Sequence, residues 1–192
     1  LITAELNDTF DDVTGAYSAH YQGLKPPFAR EAPTYFNHGG HHYLLTSGTS
    51  GYVPNASSVC VFDDFNGDYQ DLGDPCVDDG DGTSFYSQFT CVLKLPHSDF
   101  SIAMADRWMP LSEQMAFSKG YTTKMAQEVA EGKRNDIAIP DYAPKKISPL
   151  SGKLQVHPEN TSIARYVWLP LAWQEGKPRI LYEKEWRYED YL

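Results

Sequence analysis

Seven short runs of aromatic and β-branched residues, at 34–37, 42–46, 57–62, 86–94, 100–105, 165–169 and 179–183, alternate with clusters of Gly, Asp, Asn and Pro. Such runs are too short for most helices, and the clusters that separate them are turn formers, so each run reads as a strand. The turns include Asn37 to Gly40, Asp63 to Gly67 and Asp78 to Gly82. Many short strands at this spacing predict an all-β chain, a propeller or a sandwich. No exact internal repeat chooses between the two.

One stretch breaks the pattern. From Leu111 to Glu131, Gly120 apart, the residues favour helix, with Met115, Met125, Ala126 and Val129 available for a buried face. Ser112 and Glu113 suit a helix start and Gly132 a stop. Residues 133–150 then read as loop, so 111–150 is expected as an insertion, with a helix at 111–131, in a single domain spanning 1–192.

With 192 residues, the chain is long enough for one sizeable core. Its net charge of −10 argues against nucleic acid and against anionic membranes or polysaccharides. No apolar run approaches the roughly 18 residues of a membrane span. Aromatics make up 14% of the chain, with thirteen Tyr and four Trp, which suits both β packing and the stacking of sugar faces. The chain opens on Leu1 with no signal peptide, as expected of a processed or partial sequence.

Metal chemistry finds little support. Cys60, Cys76 and Cys91 are too scattered for a zinc site. Cys60 sits in an apolar run and is expected to be buried and inert, while Cys76 and Cys91 flank an acidic loop and could pair if oxidised. Asp78-Asp79-Gly80-Asp81-Gly82 resembles part of a calcium loop but lacks the closing Glu, so an acidic surface turn is expected. His38, His41 and His42 lack a nearby carboxylate or thiol in sequence and read as solvated turn residues. No cofactor and no metal are expected. Asn7-Asp8-Thr9, Asn55-Ala56-Ser57 and Asn160-Thr161-Ser162 match the short glycosylation acceptor pattern.

Glu31 carries the functional reading. It opens a strand, and a loop rich in hydroxyls and aromatics (Ser47 to Asn55) follows the next strand. A carboxyl group beside such a loop can protonate a glycosidic oxygen while the loop hydrogen-bonds and stacks the sugar. Five segments then fall in order: Arg30-Glu31-Ala32-Pro33, Leu45 to Asn55, Ser84 to Thr90, Met104 to Trp108, and Arg165 to Leu171.

Together these segments resemble glycoside hydrolase family 43, and most closely its exo-β-1,3-galactanase-like subfamily. The resemblance runs from about residue 28 to 186, outside 111–150. It implies a five-bladed β-propeller with the site at the end of its channel. At roughly 60 residues a blade, the 192 residues supply about three blades. It further implies an inverting glycosidase that releases galactose from β-1,3-galactan or a related galactose-containing plant polysaccharide. Glu31 matches the general acid. Gln88 matches the glutamine that holds the attacking water where other members use an aspartate. An inverting pair stands about 6.5–9.5 Å apart, across the sugar.

Thr49 and Asn55 are expected to bind sugar hydroxyls, and Tyr52, where the family usually has Trp, to stack on the ring. Arg107 is expected to pair with Asp106 and to help set the pKa of the acid. Arg165, Trp108 and Trp168 are expected to be structural, and Ala105 replaces the family's Gly. The partner implied is a carbohydrate, and secretion follows from a polymeric substrate. The alternative is a non-catalytic carbohydrate-binding or degenerate propeller fragment. Arabinan- or xylan-cleaving activity is disfavoured by Gln88 and the Ser/Thr loop.

Overall fold

The computed structural model describes residues 1–24, 28–50, 54–96, 98–107 and 164–191. The expected helix at 111–131, the insertion to 150, Tyr52, Trp108 and the acceptor at 160–162 lie outside these residues. What is described is all-β apart from one 3-10 turn at Tyr188–Tyr191.

The strands form a two-stranded ribbon and two four-stranded antiparallel sheets. The ribbon pairs β1 (Ile2–Leu6) with β2 (Val13–Ala19). The first sheet runs in chain order through β3 (Arg30–His38), β4 (His41–Gly48), β5 (Ser58–Phe62) and β6 (Gln70–Gly73). The second does the same through β7 (Gln88–Lys94), β8 (Ser101–Arg107), β9 (Arg165–Gln174) and β10 (Lys177–Ile180). Both are simple meanders, each strand pairing with the next.

Turn chemistry closes the hairpins. Gly39 and Gly40 sit at φ +58° and +85° between β3 and β4, a left-handed pair that matches the twist of the strands. Glu175 and Gly176, at +50° and +73°, do the same between β9 and β10. Residues β10, β6, β1 and β2 depart from the sequence expectation. The last strand lies at 177–180 and not 179–183. Gln-Asp-Leu-Gly of β6 carries no apolar run because it is an edge, and the ribbon's largely exposed residues gave no signal of burial.

The core lies between the two sheets. Phe36, Tyr43, Leu45 and Val59 from the first meet Phe89, Ala103, Ala105, Val167, Leu169, Leu171 and Ile180 from the second. Burial of each large member contributes about 1.5–3 kcal/mol. A smaller cluster of Leu44, Cys60 and Phe62 occupies the opposite face of the first sheet, with Leu1, Tyr21 and Tyr69 against it. The first sheet is thus covered on both faces, which is why Tyr43-Leu44-Leu45 and Val59-Cys60-Val61-Phe62 read as continuous apolar runs. The second sheet alternates, and its outer face leaves Tyr166 and Trp168 exposed.

Two smaller expectations are corrected. Cys76 and Cys91 do not pair: Cys76 is buried in the core and Cys91 is exposed on β7, and all three thiols are free. The turn histidines do have partners. His41 meets Asp63 at 2.7 Å, His42 meets the Tyr35 hydroxyl at 2.8 Å, and His38 stacks on Trp173 at 3.8 Å. Among the described residues, no group of three or more His, Cys, Asp or Glu could hold a metal, and no helix is long and apolar enough to cross a membrane.

Candidate active site

Glu31 faces the second sheet because β3 is bulged. In register, Glu31 lies opposite Ser47 and Thr34 opposite Leu45, so three steps on β3 match two on β4. The extra residue lies at Ala32-Pro33. Ala32 takes φ +49° and Pro33 has no N–H to give to the ladder. Strict alternation would put Glu31 on the opposite face from Thr34 and Phe36. The bulge reverses that and sets Glu31 on their face, beside Ser47 and Leu45, toward β7.

Gln88 comes from the first position of β7. The turn before it is unusual: Ser84, Phe85 and Tyr86 take φ of +53°, +58° and +59°, three consecutive left-handed residues with side chains. Each costs roughly 1–2 kcal/mol. The turn persists because its polar groups are held from several sides. The Asp79 carboxylate accepts from the N–H of Thr83 at 2.6 Å and of Phe85 at 3.1 Å. The Thr83 hydroxyl accepts from the Tyr86 N–H, and the Ser87 hydroxyl donates to the Ser84 carbonyl. The Ser84 hydroxyl donates to the Asn55 carbonyl at 2.7 Å and meets Ser57. Asp79, expected in an acidic surface turn, is therefore the anchor of the segment that delivers Gln88.

The structure brings Glu31 and Gln88 into direct contact. The Gln88 amide nitrogen lies 3.4 Å from the Glu31 carboxylate and 2.6 Å from the Ser47 hydroxyl. The expected 6.5–9.5 Å separation across a sugar is not what the structure holds: the bulge points the carboxyl straight at its neighbour. Burial pushes the Glu31 carboxyl above its ordinary pKa. The Gln88 amide and the nearby positive charge of Arg30 pull the other way without cancelling it. The result is a carboxyl that holds its proton more firmly than an exposed glutamate does.

Arg30 and Ser47 were not picked out from the sequence. The Arg30 guanidinium donates to the Thr46 hydroxyl at 3.0 Å, the Thr46 carbonyl at 2.7 Å and the Ala56 carbonyl at 3.3 Å. It locks β3 to the loop that follows β4 and sets a positive charge next to the acid. The register Glu31↔Ser47, once the bulge at Ala32-Pro33 is recognised, is the signal that could have found Ser47.

The other expected site residues divide. Thr49 follows β4 directly and its hydroxyl oxygen is buried without a hydrogen-bond partner among the described residues. Asn55 accepts from the Gly48 N–H at 2.6 Å and donates to the Gly48 carbonyl at 3.1 Å and the Ser50 hydroxyl at 2.5 Å, closing the ends of the loop on each other. Arg107 does not pair with Asp106. Neighbours on a strand point to opposite faces, and Arg107 donates instead to the Phe85 carbonyl at 2.6 Å, inside the left-handed turn. Arg30, not Arg107, is the cation that acts on Glu31.

No protein-family model matches the chain, and no curated protein matches it. Solved structures do. A family 43 β-1,3-galactosidase bound to galactodeoxynojirimycin is 24% identical, with a TM-score of 0.65 over 97% of this chain and 39% of its own. A second family 43 β-1,3-galactosidase is 20% identical, with a TM-score of 0.67 over 99% of this chain and 29% of its own. The exo-β-1,3-galactanase of Phanerochaete chrysosporium, solved with β-1,3-galactotriose, is 20% identical, with a TM-score of 0.55 over 92% of this chain and 28% of its own. The chain therefore spans well under half the length of the structures it matches. At these identities the likeness is one of fold, and the fold is shared with the β-1,3-galactosidases and exo-β-1,3-galactanases of glycoside hydrolase family 43.

Proposed function

We propose that this chain is the acid-bearing part of an inverting glycoside hydrolase that releases galactose from the end of β-1,3-galactan or a related plant polysaccharide, acting outside the cell. The two meanders are blades of a five-bladed propeller, and residues 1–192 belong to that one domain. Glu31 protonates the departing glycosidic oxygen. Gln88 orients the water that attacks the anomeric carbon, using an amide that can both donate and accept. Thr49 and Tyr52 contact the sugar, one by its hydroxyl and the other by its ring. Asn55 and Arg107 act on the substrate through the loop and the turn that they hold.

The observation that carries the reading is Glu31 itself: a half-buried carboxyl whose pKa is raised by burial, set by a bulge beside a glutamine amide and next to a hydroxyl-rich loop. For an inverting reaction, sugar and water enter between Glu31 and Gln88, replacing their 3.4 Å contact and moving the groups apart.

That contact also favours a second reading. A carboxyl and an amide already bonded to each other suit a surface that holds a carbohydrate without cleaving it. Galactose release from β-1,3-galactan, measured together with binding of β-1,3-galactotriose by calorimetry, separates the two. Release supports the hydrolase. Binding without release supports the carbohydrate-binding module, and neither result with a folded protein removes galactan from consideration.

A further inference from the structure

We propose that Ser47 is a positioning residue for the Glu31–Gln88 pair, its buried hydroxyl anchoring the amide so that the second amide proton and the carbonyl oxygen face the reacting groups. The inference rests on Glu31 as the acid and deepens that assignment. Both outer partners of the amide sit on one scaffold: Ser47 and Glu31 are cross-strand partners on β3 and β4, and Ser47 is only 5% exposed. Gln88 reaches them from β7.

The two contacts are unequal. An amide nitrogen has two protons to give. At 2.6 Å to Ser47 and 3.4 Å to Glu31, the stronger bond goes to the hydroxyl and the weaker to the carboxylate. Ser47 therefore fixes the amide, and Glu31 only shares it. When a glycosidic oxygen takes the place of Gln88 at the carboxyl, the amide keeps one partner and does not swing free. Among the described residues nothing donates to the Gln88 side-chain carbonyl, so that oxygen is available to accept from a water. A Gln88 without Ser47 can rotate, and a reversed amide would set its carbonyl oxygen against the ionised carboxylate, a repulsive contact.

Charge accounting gives the test. Donation from Gln88 holds the Glu31 pKa down against burial, with Arg30 adding to the same effect. Loosening Gln88 weakens that donation, so the Glu31 titration midpoint is expected to rise. We would follow the Glu31 carboxyl by carbon-13 NMR across pH, without substrate, in the unsubstituted protein and in Ser47→Ala, Ser47→Thr and Gln88→Ala. Ser47→Ala is expected to raise the midpoint by about half a unit, the size of one weak hydrogen bond. Gln88→Ala should raise it at least as far, the double variant no further than Gln88→Ala, and Ser47→Thr should restore the original value.

An unchanged midpoint in Ser47→Ala beside a shifted one in Gln88→Ala would overturn the proposal. Should Ser47→Ala fail to fold, the unsubstituted protein still decides: two resolved, slowly exchanging Gln88 amide protons support an anchored amide, and a rapidly exchanging pair overturns it. Because the titration needs no turnover, its outcome is separate from that of the hydrolase reading. A protein with the shift and no galactose release keeps the positioning role and loses the hydrolase. A protein with release and no shift does the reverse.

Discussion

A carboxyl group that must deliver a proton near neutral pH has to hold it above the pH at which an exposed glutamate lets go. In the proposed function Glu31 does this through partial burial, and the same placement has a consequence for stability. A carboxyl whose folded pKa is raised is less favourably ionised in the folded chain than in the unfolded one. Its penalty is absent below the unfolded pKa and fully present above the folded pKa. Glu31→Gln removes the charge while keeping the shape. Galactose release is expected to fall by about 10²–10⁴-fold. Thermal melts should show the variant equally or more stable at pH 8, with the difference closing by pH 4. A variant that melts well below the parent at pH 8 would mean that the ionised carboxylate is favourably held, against the burial argument. Gln88→Ala is expected to lower the rate strongly with little change in galactotriose affinity, since the water and not the sugar loses its partner. A calorimetric titration beside the rate assay checks the split.

At the scale of elements, the site is made by two departures from regular structure. The bulge in β3 turns Glu31 to the inner face, and the left-handed turn at 84–86 delivers Gln88. Ala32→Gly should keep activity and gain up to about 1 kcal/mol, because glycine carries no side-chain penalty at positive φ but costs more entropy on folding. Asp79→Ala withdraws the acceptor of two backbone N–H groups and is expected to cost about 3 kcal/mol in a denaturant titration, and to lower the rate through misplacement of Gln88. Regular strands were legible because apolar alternation reports burial: 42–46 and 57–62 lie within or almost within β4 and β5. The candidate pair Glu31 and Gln88 was legible through the order of its motifs. Their mutual distance was not, since one extra residue in β3 changes which way a side chain faces without changing composition. Arg107 and Asp79 were misread for a related reason: their partners are backbone groups of a left-handed turn, and nothing in Ser-Phe-Tyr announces positive φ.

At the scale of the molecule, two histidine stacks join the layers, and both respond to acid in the same direction. His38 at the end of β3 stacks on Trp173 of β9 at 3.8 Å, with Tyr43 edge-on to the indole at 5.1 Å, so the hairpins of the two sheets meet there. His20 stacks on Tyr69 at 3.5 Å and meets the hydroxyls of Thr3 and Ser18, joining the ribbon to the first sheet. Burial lowers the pKa of both rings. Around His38, Asp99 favours the protonated ring and Lys94 opposes it, and those two pair with each other at 3.5 Å. For a histidine whose folded pKa is lowered, the unfolded chain binds more protons as pH falls below its ordinary value of about 6.5. Stability is therefore complete at neutral pH and is lost as pH falls through the unfolded and then the folded value. The midpoint of urea unfolding should drop between pH 7 and pH 5, and His38→Phe, which keeps an aromatic ring on Trp173 but cannot take a proton, should drop less. If His38→Phe loses as much as the parent over that range, the acid response lies elsewhere and the stack is packing alone. Tryptophan fluorescence gives an independent reading, because protonation of a ring stacked on Trp173 changes the emission of that indole before the sheets come apart.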